Sequence, residues 1–111
     1  MRATPLEINR ILYDLRASID AGKFQPEERW KNMNTLASLG ISWREAKEEV
    51  YNLTPKEYYG GPDIDRNYPT DDKFWKFKKV IMGEIIYIKF KIRYQDDKTV
   101  LLTSFHFDEV P

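Results

Sequence analysis

Residues 73–107, KFWKFKKVIMGEIIYIKFKIRYQDDKTVLLTSFHF, decide the fold. Between Ile85 and Tyr94 the chain alternates: Ile86, Ile88, Phe90 and Ile92 point one way, Tyr87, Lys89, Lys91 and Arg93 the other. A period of two marks a strand with one face on a core and one in water. Met82-Gly83 reads as a tight turn, with Gly83 supplying a positive φ, and Gln95-Asp96-Asp97-Lys98 reads as a four-residue loop. The stretch is therefore three antiparallel strands.

Turn chemistry then sets which residues meet. Closing the first hairpin on Met82-Gly83 puts Ile81 opposite Glu84, Lys78 opposite Tyr87 and Lys76 opposite Lys89, with Trp75 and Phe77 beside Phe90 and Ile88. Closing the second with Tyr94 opposite Thr99 brings Tyr87 opposite His106. Lys76, Lys78, Tyr87, Lys89 and His106 thus gather on one face, while Phe105, Thr103 and Leu101 join the apolar one. A slip of one residue would exchange the faces. The same register leaves Val100 and Leu102 on the basic face, where the loop before the sheet or a partner has to cover them.

A chain of 111 residues makes one domain and buries about two-thirds of the surface of its unfolded form. Cysteine is absent, so there is no disulfide framework, no thiol nucleophile and no Cys-based zinc site. That fits a reducing compartment, and the expected location is the cytoplasm. No stretch is apolar enough for a signal-peptide h-region or a membrane span. Net charge is zero, but residues 1–72 carry ten Lys/Arg against thirteen Asp/Glu, whereas 73–93 carry seven Lys/Arg against Glu84 alone. An acidic half and a basic hairpin cancel, and the basic hairpin has the electrostatic footprint expected for phosphate. Lysines that merely discourage edge pairing would look similar.

Ahead of the sheet the sequence predicts a helical layer over 1–59 and an irregular loop over 60–72. Thr4-Pro5-Leu6-Glu7 has the form of a capping box, and Ile8, Ile11, Leu12, Leu15 and Ile19 recur at helical spacing up to a stop at Gly22. A second helix opens at Pro26, with Trp30, Met33, Ala37 and Leu36 as its weaker apolar stripe, and ends at Gly40. Ser42 with Glu45 caps a third, and Thr54 with Glu57 a short fourth that breaks at Gly60-Gly61-Pro62. Trp30, Trp43 and Trp75 read as core or helix-to-sheet contacts. Asp63, Asp65, Asp71 and Asp72 match no metal-loop spacing, and turn formation is the expected role. The fold class is α+β: N-terminal helices on a twisted antiparallel sheet of at least three strands.

The segments NLTPKEYYGGPDIDR (52–66), FWKF (74–77), IYIKFKI (86–92) and TSFHFDE (103–109) resemble, in order and spacing, the motifs of the MqsR-like toxin family. The resemblance runs from about Leu15 to Glu109. It implies a RelE-like fold, a ribosome-independent endoribonuclease acting on mRNA, and inhibition by a partner antitoxin protein. The family's active-site positions fall on Lys76, Tyr87 and His106. In the best-characterised branch a lysine stands where this chain has Gly60, a glutamine where it has Lys76, and a lysine where it has His106. The site is similar in place and different in chemistry.

Cleavage of RNA by its own 2′-OH needs a base, an acid and cations around the phosphate, with no cofactor or metal. His106, the only histidine, is the candidate acid or base, with Tyr87 beside it and Lys76 on the phosphate. A histidine that merely closes the last strand, or a cross-strand tyrosine, is the structural alternative. Lys76 and Lys89 are like charges set side by side, which favours an anion between them. Lys78, Lys91 and Arg93 are expected as peripheral phosphate contacts. Of Tyr58 and Tyr59, one is expected to pack and the other to stack on a base, and Tyr59 is taken as the RNA contact. The expected partners are mRNA and an antitoxin seated on Val100, Leu102 and the third-strand edge, or on the helical side. A binding module that has kept the fold without the chemistry is the alternative reading.

Overall fold

In the computed structural model, which describes residues 2–109, three helices cover one face and one edge of a five-stranded sheet. Helix α1 (Pro5–Asp20) starts at the expected box: Glu7 N donates to Thr4 Oγ1 at 3.2 Å and Thr4 N to Glu7 Oε1 at 2.8 Å. Strand β1 (Phe24–Pro26), helix α2 (Trp30–Leu39) and helix α3 (Trp43–Tyr51) follow. A 3-10 turn at Pro55–Glu57 leads into β2 (Tyr58–Asp63), and β3 (Phe74–Ile81), β4 (Glu84–Arg93) and β5 (Thr99–Phe107) complete the sheet. The spatial order is β1-β5-β4-β3-β2, antiparallel except that β1 runs parallel to β5. Among the described residues no helix is long and apolar enough to cross a membrane.

The first hairpin has the expected register throughout, from Ile81↔Glu84 to Trp75↔Phe90. Met82 joins Gly83 in the left-handed region, at φ 52° and 80°. The second hairpin keeps Tyr87↔His106 but changes register between Lys89 and Phe90. Lys89 faces Ser104 while Phe90 faces Leu102, so Thr103 is an extra residue on β5. Beyond it the loop spans Tyr94–Lys98 and Arg93 pairs with Thr99, which corrects the expected Tyr94–Thr99 closure. The bulge exchanges the two faces of β5's first half. Val100 and Leu102 are fully buried in the core, and Leu101 turns to the polar face. They are not an exposed docking surface.

Four other expectations need correction. The proposed helical layer contains β1, and the proposed loop 60–72 begins inside β2, which forms the sheet edge beyond β3. Pro26 ends β1 and does not open a helix; α2 starts after Arg29. The stripe Trp30, Met33 and Ala37 faces solvent, with Trp30 78% exposed. Of the expected stripe only Leu36 is buried, and beside it α2 buries Asn32 and Thr35.

That polar stripe completes β5. Beside the bulge, Asn32 Nδ2 donates to Thr103 O at 3.1 Å and to Glu27 O at 2.9 Å, while its Oδ1 accepts from Phe105 N at 2.9 Å. Thr35 Oγ1 accepts from Phe107 N at 3.2 Å. Side chains of a helix thus take over from β1 as the hydrogen-bonding neighbour of β5, so the third-strand edge is covered and offers no free strand to a partner. Behind it, Ile8, Ile11, Leu12 and Leu15 of α1 and Ala46 and Val50 of α3 form one core with Phe77, Ile88, Phe90 and Phe105. Phe77 and Phe90 stack at 5.8 Å, and Trp43 meets Phe105 edge-on.

Asn32→Ala leaves the Phe105 N–H without its partner in a fully buried place, at a cost of about 3 kcal/mol. Urea denaturation measures this. A loss below about 1 kcal/mol would show that the clasp contributes little.

Candidate functional site

On the polar face, cross-strand pairing sets Lys78, Tyr87 and His106 side by side, and next to them Lys76, Lys89 and Ser104. The Tyr87 and His106 rings lie 5.4 Å apart, tilted by 36°. His106 Nδ1 is 2.9 Å from Phe107 O. A carbonyl only accepts, so Nδ1 carries the proton and Nε2 is the basic nitrogen of the neutral ring. Burial raises the Tyr87 phenol above its ordinary pKa against the pull of Lys76, so at neutral pH it is a hydrogen-bond donor.

The tyrosine pair divides its work. Tyr58 is buried edge-on against Trp75 and Phe77; its hydroxyl donates to Gly61 O and accepts from Ala3 N at 3.1 Å. Tyr59 is half exposed, stands edge-on to Tyr87 at 6.3 Å and has Lys78 Nζ 4.0 Å over its ring. Of the two glycines that follow, Gly61 has to be glycine, whereas Gly60 meets only the flexible end of Lys76. A Cβ on Gly61, at φ 99°, would lie 2.5 Å from Phe74 O, and one on Gly60 would lie 2.9 Å from Lys76 Cε. Lys76 therefore lies over the bare backbone of Gly60.

The aspartates answer the lysines. Asp63 pairs with Lys76 at 2.7 Å and Asp108 with Lys78 at 2.9 Å. Asp65 and Asp71 hold Lys91 Nζ at 3.0 and 2.8 Å. Asp65 Oδ1 also accepts from Asn67 N, and Asp72 Oδ2 from Tyr94 N, so the acidic run forms turns and ion pairs. Lys91 is only 3% exposed beneath this loop. It is a structural ion pair, which corrects its assignment as a phosphate contact. Arg93 is half-buried, with Asp71 at 4.0 Å and Asp96 at 3.8 Å.

Lys89 differs from its neighbours. Among the described residues no carboxylate lies within 4.0 Å of it, and its Nζ sits 4.3 Å over the Phe74 ring. Burial, then Lys76, then Arg29 push its pKa below the ordinary lysine value. It forms the floor of a basin of about 1410 Å³, walled by the 62–71 loop on one side and by Glu27 and Arg29 on the other. The sequence reading missed Arg29 because a single arginine before a helix carries no signal; only the Thr103 bulge brings it here. An apolar cavity of about 800 Å³, lined by Leu6, Ile11, Trp75 and Ile92, lies on the opposite side of the sheet and contains none of these cations.

No protein-family model matches this chain, and no curated protein is similar to it. Function has to be argued from the face itself.

Hydrogen bonds from Lys91, first among the causes, hold the Asp65 and Asp71 carboxyls below their ordinary range. The stabilisation they give is complete above the ordinary carboxyl pKa of about 3.9 and is lost as pH falls through their lower folded-state values. The protection factors of the Asn67 and Tyr68 amides, corrected for the pH dependence of intrinsic exchange, should hold from pH 7 to pH 4 and fall only below; a drop already at pH 5 would contradict this. Lys91→Met strands two neighbouring carboxylates and should destabilise by about 3 kcal/mol in urea titration at pH 7.

Proposed function

We propose that the chain is an endoribonuclease of the MqsR-like kind: the toxin of a toxin–antitoxin pair, cutting single-stranded mRNA through its own 2′-OH. The observation that carries the reading is the Tyr87–His106 pair at 5.4 Å on an open face, with Lys76, Lys78 and Lys89 around it. In this reading His106 Nε2 takes the 2′-OH proton and O2′ attacks phosphorus. The P–O5′ bond breaks, and the leaving 5′-oxygen takes a proton from the Tyr87 phenol. Lys76 and Lys89 hold the phosphate as its charge changes, and Tyr59 offers a face for a base. The products are a 2′,3′-cyclic phosphate and a 5′-hydroxyl. The order of the family-like motifs and the α+β layering support the same reading, and a cognate antitoxin protein is its expected inhibitor. The lysine that now lies over Gly60 supplies a cation near the place where the best-characterised branch has one of its own.

A non-catalytic RNA- or protein-binding module is the second reading. It is favoured by the carboxylates already seated on Lys76 and Lys78.

Purified protein incubated with a long single-stranded RNA in the presence of EDTA should give discrete cuts ending in 2′,3′-cyclic phosphates. Under single-turnover conditions His106→Gln should slow cutting by about two to four orders of magnitude with RNA affinity nearly intact. Cutting at the wild-type rate would remove the histidine from the mechanism, and intact RNA with tight binding would favour the module. Expression alone should arrest growth, relieved by co-expressing the antitoxin.

A further inference from the structure

The basin beside the Tyr87–His106 pair is larger than a scissile phosphate requires, and its cations come from opposite walls. Arg29 is held in place: its Nη1 donates to Thr103 O at 3.3 Å, the carbonyl that the bulge turns toward it. Across from it, Thr103 Oγ1 donates to Lys89 O at 3.1 Å, tying the same bulge to the lysine's backbone. Lys76 is the cross-strand neighbour of Lys89. Glu27, Asp63, Asp65 and Asp71 also line the basin, but Asp63 pairs with Lys76, and Asp65 and Asp71 with Lys91, and none of the four pairs with Lys89 or Arg29. A half-buried ammonium close to two other cations, with Asp63 and Asp65 near but no carboxylate of the described residues within 4.0 Å, is unfavourable in the free protein, and an anion relieves it. On the loop wall Tyr68 is 65% exposed and Ile64 60%, an aromatic ring and an aliphatic side chain lining the same basin as the cations. Cations below and an aromatic at the rim match a nucleotide better than a free polyanion.

We infer that Arg29 and Lys89 form a second phosphate subsite, which holds the neighbouring phosphodiester of a single-stranded nucleic acid while Tyr68 stacks on its base. This subsite deepens the ribonuclease reading and rests on it for the identity of the strand. The chain of the ligand would cross the sheet from the Tyr59–His106 end toward β1 and leave between Arg29 and the 62–71 loop. Arg29 is a binding residue here and touches no reacting atom.

The test uses the full chain and a mixed-sequence 2′-O-methyl hexanucleotide, which lacks the nucleophile and stays uncut. Binding is followed by fluorescence anisotropy between 50 and 200 mM salt. Arg29→Gln retains a donor for Thr103 O and loses the charge; with an unchanged Tm it should weaken binding about tenfold and flatten the slope of log K against log salt by about 0.7. Lys89→Gln should do the same, whereas Lys47→Ala on α3 should bind as wild type. Tyr68→Ala should weaken the oligonucleotide while leaving competition by inorganic pyrophosphate unchanged.

Wild-type affinity and slope in both Arg29→Gln and Lys89→Gln, or no binding by the wild-type protein at 50 mM salt, would overturn the subsite. So would a Tyr68→Ala variant that binds the oligonucleotide as wild type does, which would leave a plain polyanion site. If the wild-type protein fails to cut RNA yet binds the hexanucleotide through Arg29, the catalytic reading falls and the subsite stands.

Discussion

The single extra residue at Thr103 is the constraint on which both faces of the sheet depend. On its C-terminal side, His106 stands beside Tyr87; on its N-terminal side, Val100 and Leu102 fill the core. A regular strand could satisfy one half or the other, because the side-chain period is two and a uniform register puts either His106 or Leu102 on the wrong face. The bulge also frees a carbonyl, and Asn32 and Arg29 meet there. Core packing, the clasp of α2 and the position of the basin's far wall thus share one backbone irregularity.

Charge is arranged as a second layer over that frame. The basic hairpin and the acidic half that precedes it cancel in total, and they also cancel locally, carboxylate by carboxylate, along Lys76, Lys78 and Lys91. Lys89, half-buried among them, has no carboxylate of the described residues within 4.0 Å because of where the acidic loop passes. The loop closes over Lys91 and reaches Lys76 through Asp63, skipping the position between them. Burial of an uncompensated ammonium costs stability.

Much of this was legible in the sequence. Period-two alternation, the turn at Met82-Gly83 and three helix caps fixed most of one hairpin, the Tyr87–His106 and Lys76–Lys89 pairings and the starts of α1 and α3, because each depends on residues close together in the chain. The missed features all depend on distant partners. β1 is three residues ending in proline, and it is a strand only because Val100 N and Leu102 O are there to meet it. β2 carries Gly60-Gly61-Pro62, which reads as a break in isolation. α2 was assigned the wrong face because hydrophobicity was taken to mark burial, whereas its buried side chains, Asn32 and Thr35, serve as hydrogen-bond partners for a strand 70 residues onward. The bulge itself has no local signature; Val100 and Leu102 on the wrong face were its only trace.

The place of β5 in the order of synthesis has a consequence of its own. It pairs with β4 on one side and with β1 and α2 on the other, yet it is the last of the described strands to leave the ribosome. Until it emerges, the apolar stripe of α1 has only part of its sheet to rest on, Asn32 and Thr35 have no backbone to bind, and Tyr87 has no histidine. The helical segments that precede it therefore wait on β5 for their tertiary contacts, and the nascent chain carries an unfinished core and an unfinished polar face until that strand has emerged.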